Sequence, residues 1–126
     1  MIEVSAIKVK TLTRQIIALA DELGFKAVTE YRTPDGTRID VAILDGEKKL
    51  LAVELEASFK WFPQRVLYDV VKAERAGFDS VFVVTSFRGR VRWVDEYASE
   101  RGITLKIIGE KEAVEEVKNF LRSSCI

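Results

Sequence analysis

Between Gly36 and Tyr68 the chain reads GTRIDVAILDGEKKLLAVELEASFKWFPQRVLY. Two apolar, β-favouring runs, Arg38–Leu44 and Leu50–Ala57, are joined there by Asp45-Gly46-Glu47-Lys48. Asp-Gly between such runs is a strong hairpin signal. Side chains alternate along a strand, so Asp40, Ala42 and Leu44 are expected on one face and Ile39, Val41 and Ile43 on the other. On the second strand Ala52, Glu54 and Glu56 share a face, opposite Leu51, Val53 and Leu55. A hairpin centred near Glu47 sets Asp40 across from Glu54, with Glu56 one step beyond. A slip of one residue would send a whole set of side chains to the wrong face. In this register three carboxylates converge on one patch of sheet.

Such a convergence requires compensation. The strands are apolar on both faces, as in a sheet covered on both sides. An unpaired carboxylate buried there is costly. Neighbouring carboxylates raise each other's pKa unless a cation stands between them. Hard oxygen ligands suit Mg²⁺ or Mn²⁺, so a divalent-metal site at this patch of carboxylates is the expectation. The alternatives are a carboxylate–Arg/Lys network and a plain solvated face.

Composition narrows the chemistry. The 126 residues are enough for one domain, residues 1–126, with a core of its own. Lys and Arg number 20 and so do Asp and Glu, so any attraction to a polyanion must be local. Histidine is absent, which removes Ser/His and Cys/His nucleophilic sites and His-ligated zinc. The single cysteine, Cys125, has no intrachain partner for a disulfide, in keeping with a reducing compartment. No apolar run is long enough to span a bilayer. The expected location is cytoplasmic, with no leader and no membrane partner.

Taken in order, Leu12, Ile16, Leu19, Ala20 and Leu23 recur at helical spacing and Gly24 closes a helix over about residues 8–23. Lys26–Arg32 reads as a strand ending at Thr33-Pro34-Asp35-Gly36, which has strong turn chemistry. The hairpin follows. A helix then starts between Ser58 and Pro63 and closes at Gly77. Asp79–Ser86 is a buried strand, Arg90–Arg101 a helix, Ile103–Ile108 a strand and Lys111–Arg122 a last amphipathic helix. The fold class is α/β, a mixed β-sheet flanked by helices in the order α-β-β-β-α-β-α-β-α. A right-handed crossover would hang the start of the second helix over the end of the strand carrying Glu54 and Glu56. On that helix Lys60, Gln64, Tyr68 and Lys72 recur every four residues as one polar stripe. The stripe is either a solvent face or a wall for a phosphodiester. Further on, Ser86-Phe-Arg88-Gly-Arg90-Val-Arg92-Trp93 gathers three arginines and two aromatics. Clustered arginines suit phosphate-backbone binding, and the alternative is ordinary solubilising charge.

These residues together resemble the PD-(D/E)XK nucleases, the restriction-endonuclease-like superfamily, in its RecB-like and archaeal-resolvase branches. The resemblance rests on Leu23-Gly24-Phe25, Gly36-Thr-Arg-Ile-Asp40, Ala52-Val53-Glu54-Leu55-Glu56 and Gln64-Arg-Val-Leu-Tyr68, and covers roughly Leu12 to Ser86. The last segment fits the QxxxY pattern of the RecB-like branch. The resemblance implies a restriction-endonuclease-like sheet and Mg²⁺- or Mn²⁺-dependent cleavage of nucleic acid, with DNA the expected substrate and RNA the alternative. It implies metal binding by Asp40, Glu54 and the Leu55 carbonyl, and substrate contacts by Gln64 and Tyr68. Two departures stand out. Glu56 occupies the position that the family pattern gives to lysine, so either Glu56 works as a carboxylate or the lysine's role has moved to Lys60. The opening helix reads Leu12-Thr-Arg-Gln-Ile and lacks the early glutamate of the resolvases, which counts against junction resolution.

The implied catalytic set is Asp40, Glu54, Glu56 and Lys60, with Arg88, Arg90 and Arg92 as backbone contacts. Small nucleases of this kind often work as dimers, which adds a second copy of the chain to the expected partners. The rival expectation is a domain of the same fold that binds nucleic acid or a partner protein without cutting.

Overall fold

The computed structural model describes residues 7–58, 60–86 and 91–124. The elements are α1 (Val9–Glu22), β1 (Lys26–Arg32), β2 (Arg38–Asp45), β3 (Lys48–Glu56), α2 (Phe62–Ala76), β4 (Ser80–Thr85), α3 (Arg92–Glu100), β5 (Thr104–Ile108) and α4 (Glu110–Ser123). Their order is the expected one, α-β-β-β-α-β-α-β-α. The five strands form one mixed sheet in spatial order β1-β2-β3-β4-β5. β1, β2 and β3 pair antiparallel, while β3, β4 and β5 pair parallel.

Each face of the sheet has its own core. Leu12, Ile16 and Leu19 of α1 and Ala113, Val117 and Leu121 of α4 cover Val41, Ile43, Leu51, Val53, Leu55 and Phe82. On the other face Phe62, Val66, Val70 and Ala73 of α2, with Val94 and Ala98 of α3, cover Ala42, Ala52, Val81 and Val83. β4, between β3 and β5, is buried along its whole length. Glu54 therefore points into an apolar layer beneath α2. That placement decides its chemistry.

The register comes from a defect. Gly46 and Glu47 form a two-residue loop that pairs Asp45 with Lys48 and Leu44 with Lys49. Between Ile43 and Leu44 the pairing shifts by one, and then Ile43 faces Leu51, Ala42 faces Ala52 and Val41 faces Val53. One further step along this inner register brings Asp40 beside Glu54. Without the bulge the same loop would have set Asp40 against Val53. A β-bulge of this kind re-aims side chains without breaking the sheet.

One facing expectation fails. Ile39 packs with Ala42 on the α2 side, whereas the strict alternation grouped it with Val41 and Ile43. The irregularity lies where Glu30 of β1, between the pairs Thr29–Val41 and Tyr31–Ile39, takes a left-handed φ of 50°. A non-glycine residue seldom adopts that region, and the pleat is interrupted beside it. The turn before β2 is better behaved. Thr33 and Thr37 hydroxyls donate to the Asp35 carboxylate and hold its pKa down at about 2.

α2 ends at Gly77, whose φ of 95° favours glycine. A side chain there would also meet Lys49, whose Nζ donates to the Ala76 carbonyl at 2.6 Å and would lie 3.3 Å from an added Cβ. Gly77→Ala is expected to lower stability by about 1–2 kcal/mol in urea unfolding, with helix content unchanged. An unchanged unfolding midpoint would show that this cap does not hold the helix.

Candidate functional site

Past the pair Val41–Val53, two acids take over the join between β2 and β3. The Asp40 backbone N–H donates to Glu54 Oε1 at 3.0 Å, and the Leu55 N–H donates to Asp40 Oδ2 at 2.7 Å. Each carboxylate satisfies a backbone donor on the opposite strand, the charge-assisted kind of hydrogen bond that holds most strongly. The expected juxtaposition of Asp40 and Glu54 is therefore present, and it is a mutual clasp. Glu54 is 1% exposed.

The compensating cation is Lys72. Its Nζ lies 2.7 Å from Glu54 Oε2 and 3.8 Å from Asp69 Oδ1, and it stands 5.1 Å from the centre of the Tyr68 ring. Three residues on a helix bring Asp69 and Lys72 to one side of α2. Val66, Val70 and Ala73 press that side onto the sheet. Lys72 and Asp69 are accordingly buried. The polar stripe is thus only partly a solvent face: Gln64 and Tyr68 are exposed, while Lys72 points inward.

Asp40, Glu54, Leu55, Glu56, Gln64, Arg65, Tyr68, Asp69 and Lys72 line an open cavity of about 410 Å³. Glu56 is mostly covered and faces Arg65, whose Nη1 is 3.5 Å from its Oε1. Lys60 does not line this cavity. It is exposed in the turn before α2, where its carbonyl accepts a hydrogen bond from Arg65 Nε. Arg92 stands outside the cavity at the start of α3, exposed and paired with Glu96 at 2.9 Å. Arg88 and Arg90 lie outside the described residues.

Asp69 was missed in the sequence, although a signal was there. Phe62, Val66, Val70 and Ala73 mark the buried face of α2, and Asp69 falls within that face. An acid among apolar positions at helical spacing needs a partner, and Lys72 is one turn away.

The electrostatics follow from burial. Burial pushes the Glu54 pKa up to about 7, against the pull of Lys72 and of the Asp40 N–H. Asp40 is raised for the same first reason, with the Leu55 N–H and Lys72 opposing. Asp69 is raised well above the carboxylate range by burial, then by the charge of Glu54 and a hydrogen bond to Glu56. Burial would lower Lys72, but Glu54, Asp69 and Asp40 outweigh it and hold the ammonium charged.

The donor set has the hardness that Mg²⁺ or Mn²⁺ selects. Asp69 Oδ2 is buried without a hydrogen-bond donor, and Glu54 Oε2 is met by Lys72 through charge rather than a well-aligned hydrogen bond. Among the described residues, no group of three or more His, Cys, Asp or Glu side chains is arranged to hold a metal ion. Asp40 and Glu54 offer two hard ligands. In an antiparallel ladder a residue's N–H and C=O face the same neighbouring strand, so the Leu55 carbonyl is directed toward β2 as well. These groups fit a small hard cation provided Lys72 yields its place on Glu54.

A raised carboxyl pKa means that the folded state binds its proton more tightly than the unfolded chain. The resulting penalty is absent below the ordinary glutamate value and complete above the folded one. Stability is therefore expected to fall as pH rises from about 4.5 to about 7. Glu54→Gln should flatten that decline in thermal unfolding across this range. A profile of the same slope in both proteins would place the titration elsewhere.

No protein-family model matches the chain, and no curated protein matches it either.

Proposed function

We propose that this site supports metal-dependent hydrolysis of nucleic-acid phosphodiester bonds, DNA in the first instance. The observation that carries the proposal is Lys72: a buried ammonium 2.7 Å from Glu54, which supports reading it as the counterpart of the lysine that the PD-(D/E)XK pattern has where this chain has Glu56. Asp, Glu and Lys are then all present, with the lysine supplied by α2 instead of β3. Asp40 and Glu54, with the Leu55 carbonyl, would hold the ion. Once bound, Mg²⁺ would polarise the phosphoryl oxygen and acidify an attacking water.

The chain's own groups do the rest. Lys72 carries a positive charge in a water-poor setting, where it can stabilise charge developing on the phosphoryl group. Glu56 lines the same cavity and is the carboxylate placed to take a proton from water. Gln64 and Tyr68, at the cavity wall, can hold the backbone in line by amide and phenol hydrogen bonds. Arg65 stands beside Glu56 as a phosphate contact.

The rival reading, a domain of this architecture that binds without cutting, also draws on one observation. Lys72 already neutralises Glu54 at 2.7 Å, so the carboxylates have a cation of their own.

The test is cleavage of duplex, single-stranded and branched DNA, and of RNA, with Mg²⁺ or Mn²⁺. Turnover is expected in the wild type and should drop by about a hundredfold or more in Asp40→Asn, Glu54→Gln and Lys72→Met. Lys60→Ala should cost far less turnover than these, because Lys60 lies outside the cavity. Absence of cleavage on every substrate and metal would favour binding alone. A severe loss in Lys60→Ala with Lys72→Met unaffected would move the lysine's role back to the turn.

A further inference from the structure

The chain has two tryptophans, Trp61 and Trp93, and both are exposed, at 65% and 48% of their surface. Large apolar rings are usually placed where most of their surface is buried. Among the described residues the other exposed large apolar side chains are Tyr68 and Val9. Three of these four are therefore aromatic, and the fold gathers the three around one end of the sheet.

The gathering follows from topology. β3 and β4 are parallel neighbours, so their C-terminal ends lie at the same edge. α2 follows β3, α3 follows β4, and both helices pack on the same face. Trp61 immediately precedes α2, and Trp93 sits in the first turn of α3. Trp61 also stands three and four residues ahead of Gln64 and Arg65, with Tyr68 a further turn on. The row thus runs along α2 from the sheet edge into the cavity. Each tryptophan is preceded by a cation, Lys60 before Trp61 and Arg92 before Trp93. Arg92 is spanned by Glu96 but remains 92% exposed in its side chain. Trp61 is held at a left-handed φ of 58°, a conformation seldom adopted by bulky residues.

We infer that Trp61 and Trp93 form a stacking platform for the unpaired bases of a single-stranded nucleic acid, which Lys60 and Arg92 hold by its phosphates and Tyr68 leads toward Asp40 and Glu54. Alternating rings and cations are the arrangement that sequence-tolerant single-strand binding uses, because every base offers a π-face. A paired base offers its face to its neighbours in the stack and not to a protein ring. The platform therefore selects strands or splayed ends over intact duplex. This inference deepens the proposed nuclease reading by naming its substrate form, and it rests on that reading for the direction of the strand.

Binding is measured with the full chain in EDTA, so that cleavage plays no part and the two readings fail separately. The probe is a fluorescein-labelled oligothymidine, compared with a duplex of equal length. Fluorescence excited selectively at tryptophan reports only on the two proposed rings, so stacking should quench it, and in each single Trp→Ala variant the remaining ring alone reports. Trp61→Ala and Trp93→Ala should each weaken oligothymidine binding by about fivefold to a hundredfold. Trp→Phe at either position should restore most of the loss, because a ring is kept. Thermal unfolding of each variant should match the wild type, since both rings are exposed. Equal affinity for duplex, unchanged affinity in the Ala variants, or no binding of either probe would overturn the platform. Cleavage with no tryptophan quenching would overturn it too, while leaving the nuclease reading intact.

Discussion

The structure turns on the clasp between Asp40 and Glu54. A regular hairpin would continue its backbone ladder past Val41 and Val53; here two carboxylates accept the N–H groups of Asp40 and Leu55 instead. The clasp fixes both acids to within hydrogen-bond tolerance on rigid strands. It also places Glu54 under α2, where water is excluded. Everything else at this end of the molecule follows from the need to neutralise it. Lys72 faces inward, Asp69 accompanies it, and Tyr68 covers the ammonium.

A stabilising role explains this arrangement poorly. Bringing charges out of water costs several kcal/mol per ion, and the attraction between them returns that only with good geometry. Replacing a buried pair with apolar residues of similar volume is often neutral or favourable by about 1–4 kcal/mol. Here the geometry is uneven. Lys72 is close to Glu54, but Asp69 Oδ2 has no donor and the Glu54 pKa is still pushed up to about 7. Surrounding positions on both β3 and α2 are apolar, so a hydrophobic solution lay within reach of this fold. A cluster left partly unsatisfied at the open end of a sheet supports the proposed reading of a site for a charged ligand.

Much of this was legible in the residues. The alternation in Leu50–Ala57 and the Asp45-Gly46 turn carried the hairpin, and centring it near Glu47 gave the register that the structure reaches through its bulge. All nine elements could be read from periodicity and glycine stops, because each helix has one apolar face and β4 is apolar throughout. Other features depended on tertiary context. Ile39 left its expected face beside the left-handed Glu30, and no local preference of glutamate announces that. The lysine was sought at Lys60, whose expected place at the start of the helix would reach the same space, whereas α2 packs onto the sheet through Val66 and Val70 and brings Lys72 to Glu54. A repeat every four residues drifts slowly around a helix, so a stripe that starts in solvent can end in the core. Asp69 was hidden for the opposite reason: it was counted with the helix and not against its apolar face.

The central claim is that Asp40 and Glu54 share a divalent cation, for which Lys72 must yield. Thermal unfolding with and without Mn²⁺ tests it without any substrate, since an ion bound only by the folded state raises the melting temperature with the logarithm of its concentration once that exceeds its Kd. The wild type should be stabilised progressively as Mn²⁺ increases, Asp40→Asn should lose the shift, and Lys72→Met should reach it at lower Mn²⁺ because nothing competes for Glu54. An equal shift in the wild type and Asp40→Asn, or none in either, would contradict the account.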